Sequence, residues 1–556
     1  MAKIGLYLCE CGPNIAEVLD LEKISNEIKK DGKVAAIERH KLLCSEDGKK
    51  FLAESIEKNG FDRLVIAACS PKQHEATFMD VMSAAGLNPY MFQLVNVREQ
   101  CAWMTPDKEL ATYKALRYIR AAINRVRYHR AIEQKEIECN ADAIVIGGGI
   151  TGMEAALRAA QKERRVYLIE QTELGGMLKC HRVLFPTMEL VDQLLKAKVD
   201  AVRGNEQIEV FENSEVKDVL GFFGNFVATI ETKEKEEITL HAGAIILATG
   251  AEPFSPEQLS NFGYGTLDDV YIASEFEKVS ADRIATKSGD PPKSVAIVHC
   301  VGRKNLGYCS EFCCANSMKI ARYIKERLSD AKVVQFYKNL CLPGTQYDKF
   351  YKETAEKGVE FIRFTDIEVT REAERLSIKY RKEDHTENNL PVDMVILSTG
   401  LVPNSATERF AKMLNIPVDE YGFFKEEHVK LDPVSTVTEG VFIAGCAQGP
   451  GNISDSMAQG GAAAGRILSS VTPGGRLQLE PETSQVSESL CVGCGVCVNV
   501  CAYGAVTIDE LRHISVVNEV LCRGCGNCAA ACPSGAARHR HFTTKQITQE
   551  MGEILR

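Results

Sequence analysis

The chain reads as an α/β protein with two dinucleotide-type domains, a small α/β domain before them and a cysteine-rich α+β module after them. Three observations carry this reading. A glycine-rich turn, Gly147-Gly148-Gly149-Ile150-Thr151-Gly152, sits between the apolar run ADAIVI and the helical stretch MEAALRAAQ. The alternation of strand, turn and helix begins again at Ser294, as in a second parallel α/β unit. Beyond Leu490 the cysteine density rises abruptly, in two runs of identical spacing.

With 556 residues, 45% hydrophobic and 26% charged, the chain has room for several ordinary globular domains. A formal charge of −10 argues against a general nucleic-acid binder, because phosphate contacts need clustered Lys and Arg. No stretch approaches the ~18 consecutive apolar residues of a spanning helix. The start, MAKIGLYLCECG, lacks the charged, apolar and cleavage regions of an export signal. A cytoplasmic protein is expected, and there 21 cysteines point to metal ligation rather than disulfides.

In order along the chain, residues 1–106 alternate β-rich runs (KIGLYL, KVAAIE, RLVIAA, MFQLVNV) with helical stretches and form the N-terminal α/β domain. Residues 107–138 read as a helical linker whose Arg120, Arg125, Arg127 and Arg130 mark a solvated face. Residues 139–292 and 391–471 make one nucleotide-binding domain in two parts, and 293–390 the second. The polar, turn-rich stretch 472–488 reads as a linker, and 489–556 as the terminal module.

That module carries Cys491-x2-Cys494-x2-Cys497-x3-Cys501 and Cys522-x2-Cys525-x2-Cys528-x3-Cys532-Pro533, the doubled spacing of a bacterial ferredoxin with two [4Fe–4S] clusters. The fourth cysteine of each run serves the other cluster. The expected sets are therefore Cys491, Cys494, Cys497 and Cys532, and Cys522, Cys525, Cys528 and Cys501. A zinc ribbon would instead use paired CxxC knuckles. Ala502 stands where the first run usually has proline.

In the glycine turn, Gly147 permits the sharp bend, Gly149 lets backbone approach a pyrophosphate at the helix N-terminus beside Ile150 and Thr151, and Gly152 allows close helix–strand packing. Glu170 follows the next strand, about where a ribose hydroxyl would be held. FAD is expected over NAD from Gly175-Gly176-Met177 after that carboxylate, and from AIILATG ending at Thr249-Gly250. Gly445-Cys446 with Asp455 downstream resembles the flavin-holding strand and helix start of the thioredoxin reductase family, so the core is expected to be a thioredoxin-reductase-like flavoprotein.

The second nucleotide-type domain lacks this fingerprint. After the strand SVAIV come His299-Cys300-Val301-Gly302, then Cys309, Cys313 and Cys314, four thiols where a nicotinamide cofactor's pyrophosphate would dock. A cluster in place of NAD(P) is inferred; buried structural thiols are the alternative. The N-terminal domain offers Cys9, Cys11, Cys44, Cys69 and Cys101, mostly at strand ends, for a further cluster, and spacing alone does not choose among the five. His74, His181 and His299 lie near cysteines but read as ordinary histidines, and Cys139, Cys180 and Cys341 have no evident partner.

These residues resemble the HdrA family, the flavin iron–sulfur proteins of heterodisulfide reductases. Tyr7-Leu-Cys-Glu-Cys-Gly12, Cys69-Ser-Pro-Lys-Gln-His-Glu75, Gly86-Leu-Asn-Pro-Tyr90, Cys300-Val-Gly302, Tyr308-Cys-Ser310 and Cys313-Cys314 carry the resemblance, together with the terminal ferredoxin. There are two departures. Phe185-Pro-Thr187 runs straight into MELVDQLLKAK without the ferredoxin many family members insert there, and Arg303-Lys304-Asn305 replaces the usual Ser-Arg.

The resemblance implies an oxidoreductase subunit with FAD and [4Fe–4S] clusters, two in the terminal module and one each in the second nucleotide-type and N-terminal domains. It also implies flavin-based electron bifurcation or confurcation in an anaerobic complex. Its partners would be HdrB- and HdrC-like or other reductase subunits, ferredoxin or another electron carrier, and a second copy of the chain. Electron transfer requires no acid–base catalyst, and none is singled out. The competing readings are a conduit to a dedicated reductase, such as the class II benzoyl-CoA reductases, and an autonomous NAD(P)H oxidoreductase. The missing second glycine loop counts against the latter, and a purely structural metal scaffold is the non-enzymatic alternative.

Overall fold

A computed structural model describes residues 2–161, 163–255, 257, 260–280, 283–479 and 482–555. The chain divides into two units, Met1–Glu136 with Gln478–Arg556, and Ile137–Leu477. Among the described residues no helix is long and apolar enough to cross a membrane.

In the first unit, four parallel strands lie in the order Ala36–His40, Ile4–Cys9, Arg63–Ala68, Phe92–Asn96. All six residues of Ile4–Cys9 are buried, the uninterrupted apolar run of a strand covered on both faces. One face packs in a core with Ile24, Ile28 and Ile119, the other with Leu52, Ile56 and Phe78. The helix Lys108–Val126, expected as a linker, belongs to the first of these cores through Ala111, Ala115, Ile119 and Ile123. Asp107 caps it, accepting the Leu110 N–H at 2.7 Å. Two of its arginines are paired, Arg120 with Asp31 at 2.7 Å and Arg125 with Glu550 at 2.7 Å.

The same unit contains the terminal module. Val506–Asp509 pairs antiparallel with Ile514–Val517, and Ser484–Val486, within the expected linker, pairs with Ala537–His539. Short helices Val496–Asn499 and Asn527–Ala531 each follow a glycine in the left-handed region, Gly495 at φ 75° and Gly526 at φ 77°. The closing helix Thr544–Ile554 opens on a Thr543/Gln546 capping box.

The second unit repeats one plan twice. A parallel sheet ordered Val441–Ile443, Ala244–Leu247, Ala143–Ile146, Val166–Ile169, Ile208–Phe211 accompanies an antiparallel meander, Glu215–Phe222, Asn225–Glu231 and Glu237–Ala242. A second parallel sheet ordered Val270–Ile272, Met394–Thr399, Ser294–Val301, Lys332–Tyr337, Val359–Arg363 accompanies Asp366–Glu372, Arg375–Arg381 and Glu387–Val392. After the second plan is complete the chain returns to the first sheet at Val441–Ile443, so the first domain is in two parts.

The long helix Cys313–Arg327 follows the central strand of the second sheet. It buries Lys319, 1% exposed, against Glu277, 3% exposed, on the helix Ala273–Val279. Lys319 Nζ donates to Glu277 Oε1 at 2.7 Å. Burial works to raise the Glu277 pKa, but Lys319 and His181 override it and hold the carboxyl down at about 2. Burial pulls the Lys319 ammonium below the usual amine range.

Lys319→Met leaves the Glu277 carboxylate without its cation and is expected to cost about 3–5 kcal/mol, while adding Glu277→Leu recovers most of the loss. Urea denaturation checks this, and a single-variant cost below about 1 kcal/mol contradicts it. The folded carboxyl titrates below its ordinary value of 4.5, so the pair stabilises above that pH and its contribution fades as pH falls toward 2.

Candidate redox centres

A cavity of about 640 Å³ opens at the carboxyl edge of the first sheet, bounded by Ile146, Ile169 and Ala248. Gly147 turns with φ 109°, and a Cβ there would lie 2.3 Å from the Ala248 carbonyl oxygen. A Cβ on Gly152 would sit 1.8 Å from Gly147 O, so this glycine sets how closely helix Ile150–Ala159 meets the strand. Gly149 lines the cavity with no protein atom within 4 Å of where a Cβ would be. That open space at a helix N-terminus is the cradle a pyrophosphate needs. The Glu170 carboxylate lines the same cavity and accepts the Gly148 N–H at 2.6 Å and the Thr172 N–H at 2.8 Å. Also in the wall, Thr249 Oγ1 and Asn316 Oδ1 are buried without a partner among the described residues. Phosphate cradle, ribose carboxylate and unmet polar atoms together fit a flavin dinucleotide.

Of the residues expected to bind it, Gly147, Gly149, Ile150, Thr151, Glu170, Gly175, Gly176, Met177, Thr249, Gly250 and Cys446 line the cavity. Gly152 and Gly445 stand behind the wall as packing glycines; a Cβ on Gly445 would strike Thr151 Oγ1 at 2.4 Å. Asp455 does not line the cavity. It is the third residue of helix Ile453–Ser470, exposed, and held by the capping residue Asn452, whose Nδ2 donates to its carboxylate at 2.7 Å. The wall there is Asn452, Ile453 and Ser456.

Lys319 and His181, also in the cavity wall, are residues that sequence reading did not assign to it. His181 Nδ1 lies 2.9 Å from Glu277 Oε1, the oxygen that Lys319 also contacts. Cation, carboxylate and imidazole form one group, with Lys319 and Glu277 buried and Lys319 and His181 in the cavity wall. A lysine between Met318 and Ile320, within a helical stretch, was the available signal.

The thiols of the second nucleotide-type domain gather at the carboxyl edge of its sheet. Cys300, next to last in the central strand, has φ 59°, and Gly302, just beyond it, has φ 83°. A Cβ on Gly302 would meet the Phe254 ring at 2.5 Å, and the short helix Arg303–Leu306 occupies the turn where a phosphate loop would stand. Burial pushes the Cys314 thiol up to about 12, with Cys300, Cys309 and Cys341 within electrostatic reach. Burial raises Cys313 as well, among Cys314, Cys309 and Cys300. The four expected cysteines thus converge, and Cys341 joins them, with its N–H donating to Cys314 Sγ at 3.5 Å.

In the N-terminal domain Cys9 has the Cys11 and Cys44 thiols as neighbours, and Cys69 has Arg98 and the Cys44 thiol. Arg98 Nη1 donates to Cys11 Sγ at 3.5 Å. Burial raises both Cys9 and Cys69, the latter to about 11. Cys101, counted with these four from sequence, is not brought to them. It lies on the turn Arg98–Trp103, fully buried in the apolar core beside Val97 and Ala102, and its charged neighbour is Lys114.

In the terminal module Cys491, Cys494, Cys497 and Cys532 surround one small cavity, and Cys501, Cys522, Cys525 and Cys528 another, so each takes one thiol from the opposite run. The two are built alike. Backbone N–H groups of Ser515 and Ala537 donate to Cys491 and Cys532 at 3.3 and 3.4 Å, and those of Ala505 and Ser484 to Cys501 and Cys522 at 3.3 and 3.5 Å. Such donors favour thiolate, and the Ser515 amide leads in lowering the Cys491 pKa. Among the described residues no three Cys, His, Asp or Glu side chains stand close enough to share a single metal ion.

The pyridine nucleotide-disulphide oxidoreductase family matches residues 141–460, and the 4Fe-4S dicluster domain matches residues 490–536. The chain is 33% identical to the HdrA protein of the ferredoxin/F(420)H(2)-dependent CoB-CoM heterodisulfide reductase of Methanosarcina acetivorans, over 92% of this chain and 76% of that protein. It is 31% identical to an iron-sulfur HdrA protein of the CoB--CoM heterodisulfide reductase of Methanopyrus kandleri, over 91% of each. With the HdrA protein of the H(2):CoB-CoM heterodisulfide,ferredoxin reductase of Methanothermobacter thermautotrophicus it shares 32% identity, again over 91% of each. Among solved structures, thioredoxin reductase of T. acidophilum aligns with 59% of this chain and 98% of its own, at 17% identity and TM-score 0.43. The chain is an oxidoreductase that belongs to the HdrA family of heterodisulfide reductase proteins.

Proposed function

We propose that this chain is the FAD and iron–sulfur electron-transfer component of a heterodisulfide reductase-like complex, dividing electron pairs between two cluster routes by flavin-based bifurcation. The single observation that carries the reading is the helix Cys313–Arg327. Cys313 and Cys314 form its first turn, and Asn316 and Lys319, one turn further on, face the flavin cavity. Bound FAD exchanges electrons in pairs and [4Fe–4S] clusters pass them singly.

The residues divide the remaining work. Gly149 and the start of helix Ile150–Ala159 receive the pyrophosphate, and Glu170 the ribose hydroxyls. Thr249 and Asn316 offer further hydrogen bonds from the cavity wall. Lys319, its ammonium destabilised by burial and steadied by Glu277, which His181 also contacts, holds and moves a proton there. Cys300, Cys309, Cys313 and Cys314 hold one cluster, and Cys9, Cys11, Cys44 and Cys69 another. The crossed sets of the terminal module hold two more, in a domain spanning about 489–556. The routes lead outward to other members of the complex and to ferredoxin or a similar one-electron carrier, as the names of the relatives suggest.

Potentiometric titration of the bound flavin tests the splitting. Crossed one-electron potentials are expected to merge both steps into one two-electron wave; two separated waves contradict bifurcation and leave a plain conduit. Gly149→Ala tests the flavin site itself. It meets no protein atom within 4 Å, so stability of the flavin-free chain is expected to change by less than about 0.5 kcal/mol while FAD retention falls at least tenfold. Gly152→Ala, which would press on Gly147 O, is expected to lose both stability and flavin. Full FAD occupancy in the Gly149 variant would contradict the assignment.

A further inference from the structure

We propose that Cys341 is a second thiol for one corner of the cluster at Cys300, Cys309, Cys313 and Cys314, interchangeable with Cys309. The inference rests on the cluster reading above and extends it to a residue outside the Cys300–Cys314 motif.

Strand Lys332–Tyr337 lies beside Ser294–Val301 in the second sheet, and the loop after it brings Cys341 to the same carboxyl edge as Cys300. Its backbone N–H donates to Cys314 Sγ at 3.5 Å, and its thiol has Cys309 within electrostatic reach. Cys314 has Cys300, Cys309 and Cys341 around it. Five thiols therefore face one site, and a [4Fe–4S] cluster takes four.

The backbone separates fixed from exchangeable ligands. Cys313 and Cys314 are set by the first turn of a fifteen-residue helix, and Cys313 is turned toward the Thr399 carbonyl at 3.6 Å. Cys300 is set by the end of the central strand and its contact with Arg303. Cys309 belongs to neither a helix nor a strand. It lies between Gly307, at φ 80°, and Glu311, at φ 57°. Cys341 likewise lies in a loop, ahead of Leu342-Pro343-Gly344. Cys314 has both loop-borne thiols as neighbours, so either can reach the corner the other leaves.

In the exchange one Fe–Sγ bond to Cys309 breaks as one to Cys341 forms. The proton released by the Cys341 thiol passes to the departing Cys309 thiolate, and no electron is transferred. The swap moves a ligand relative to the Cys341 amide and Arg303, and so tunes the cluster beside the flavin cavity.

Iron, sulfide and FAD content with EPR of the reduced, anaerobically purified full chain test this. The parent is expected to hold about sixteen irons per FAD, and Cys313→Ala about four fewer. Cys309→Ala and Cys341→Ala should each keep their iron, with altered g-values in the Cys309 variant, whereas the double variant should lose about four irons. Loss of those irons in Cys309→Ala alone, or their retention in the double variant, overturns the proposal while sparing the cluster. Unchanged iron in Cys313→Ala overturns the cluster reading and the proposal with it. FAD content reports folding, and a valine pair at 309 and 341 repeats the comparison if the alanine pair loses flavin.

Discussion

The buried contact between Lys319 and Glu277 sits where the parts of the second unit that matter for redox chemistry meet. Glu277 lies on helix Ala273–Val279, Lys319 on helix Cys313–Arg327, and His181 just past the turn Gly176–Cys180 that lines the flavin cavity. A charge pair this deeply buried tolerates little displacement, because losing either partner strands the other out of water. Helix Cys313–Arg327 is thereby fixed, and with it the thiols of its first turn and the lysine in the cavity wall. A weaker apolar contact would hold the helix in place but would supply no proton-bearing group.

A second constraint explains where the thiols gather. In parallel sheets the carboxyl ends of adjacent strands open on one side, and loops leaving them converge there. The first unit uses this edge for Cys9 and Cys69, and the second for Cys300 and Cys341. The two halves of the second unit share one plan and diverge at this edge. The first keeps the Gly147–Gly152 cradle, whereas the second fills the corresponding turn with helix Arg303–Leu306 and the Phe254 ring against Gly302. A nucleotide site on one side and thiols on the other follow from that difference.

Much of this is legible in the sequence, where the determinants are local. The GxGxxG turn between strand and helix, and the doubled cysteine runs, specify their geometry over a few residues, and the crossed sets in the terminal module follow from the same spacing. What escapes is set by tertiary placement. Cys341 lies 27 residues beyond Cys314 and meets it because two strands are neighbours. Asp455 is expected at the flavin, but its position in the first helical turn ties it to Asn452. Cys101 shares a domain with four converging thiols, yet its turn points it into the core. The arginines of Lys108–Val126 resemble a solvated face until their partners at Asp31 and Glu550 are known.

A flavin and a cluster are expected to meet across one turn of helix Cys313–Arg327, with further clusters at the N-terminal thiols and in the terminal module. Anomalous diffraction at the iron edge from anaerobically grown crystals tests this most directly. One iron peak is expected at Cys300–Cys314 beside flavin density that contacts Asn316 and Lys319, one among Cys9, Cys11, Cys44 and Cys69, and two in the terminal module. Iron confined to the terminal module, with no peak against the flavin, would contradict it.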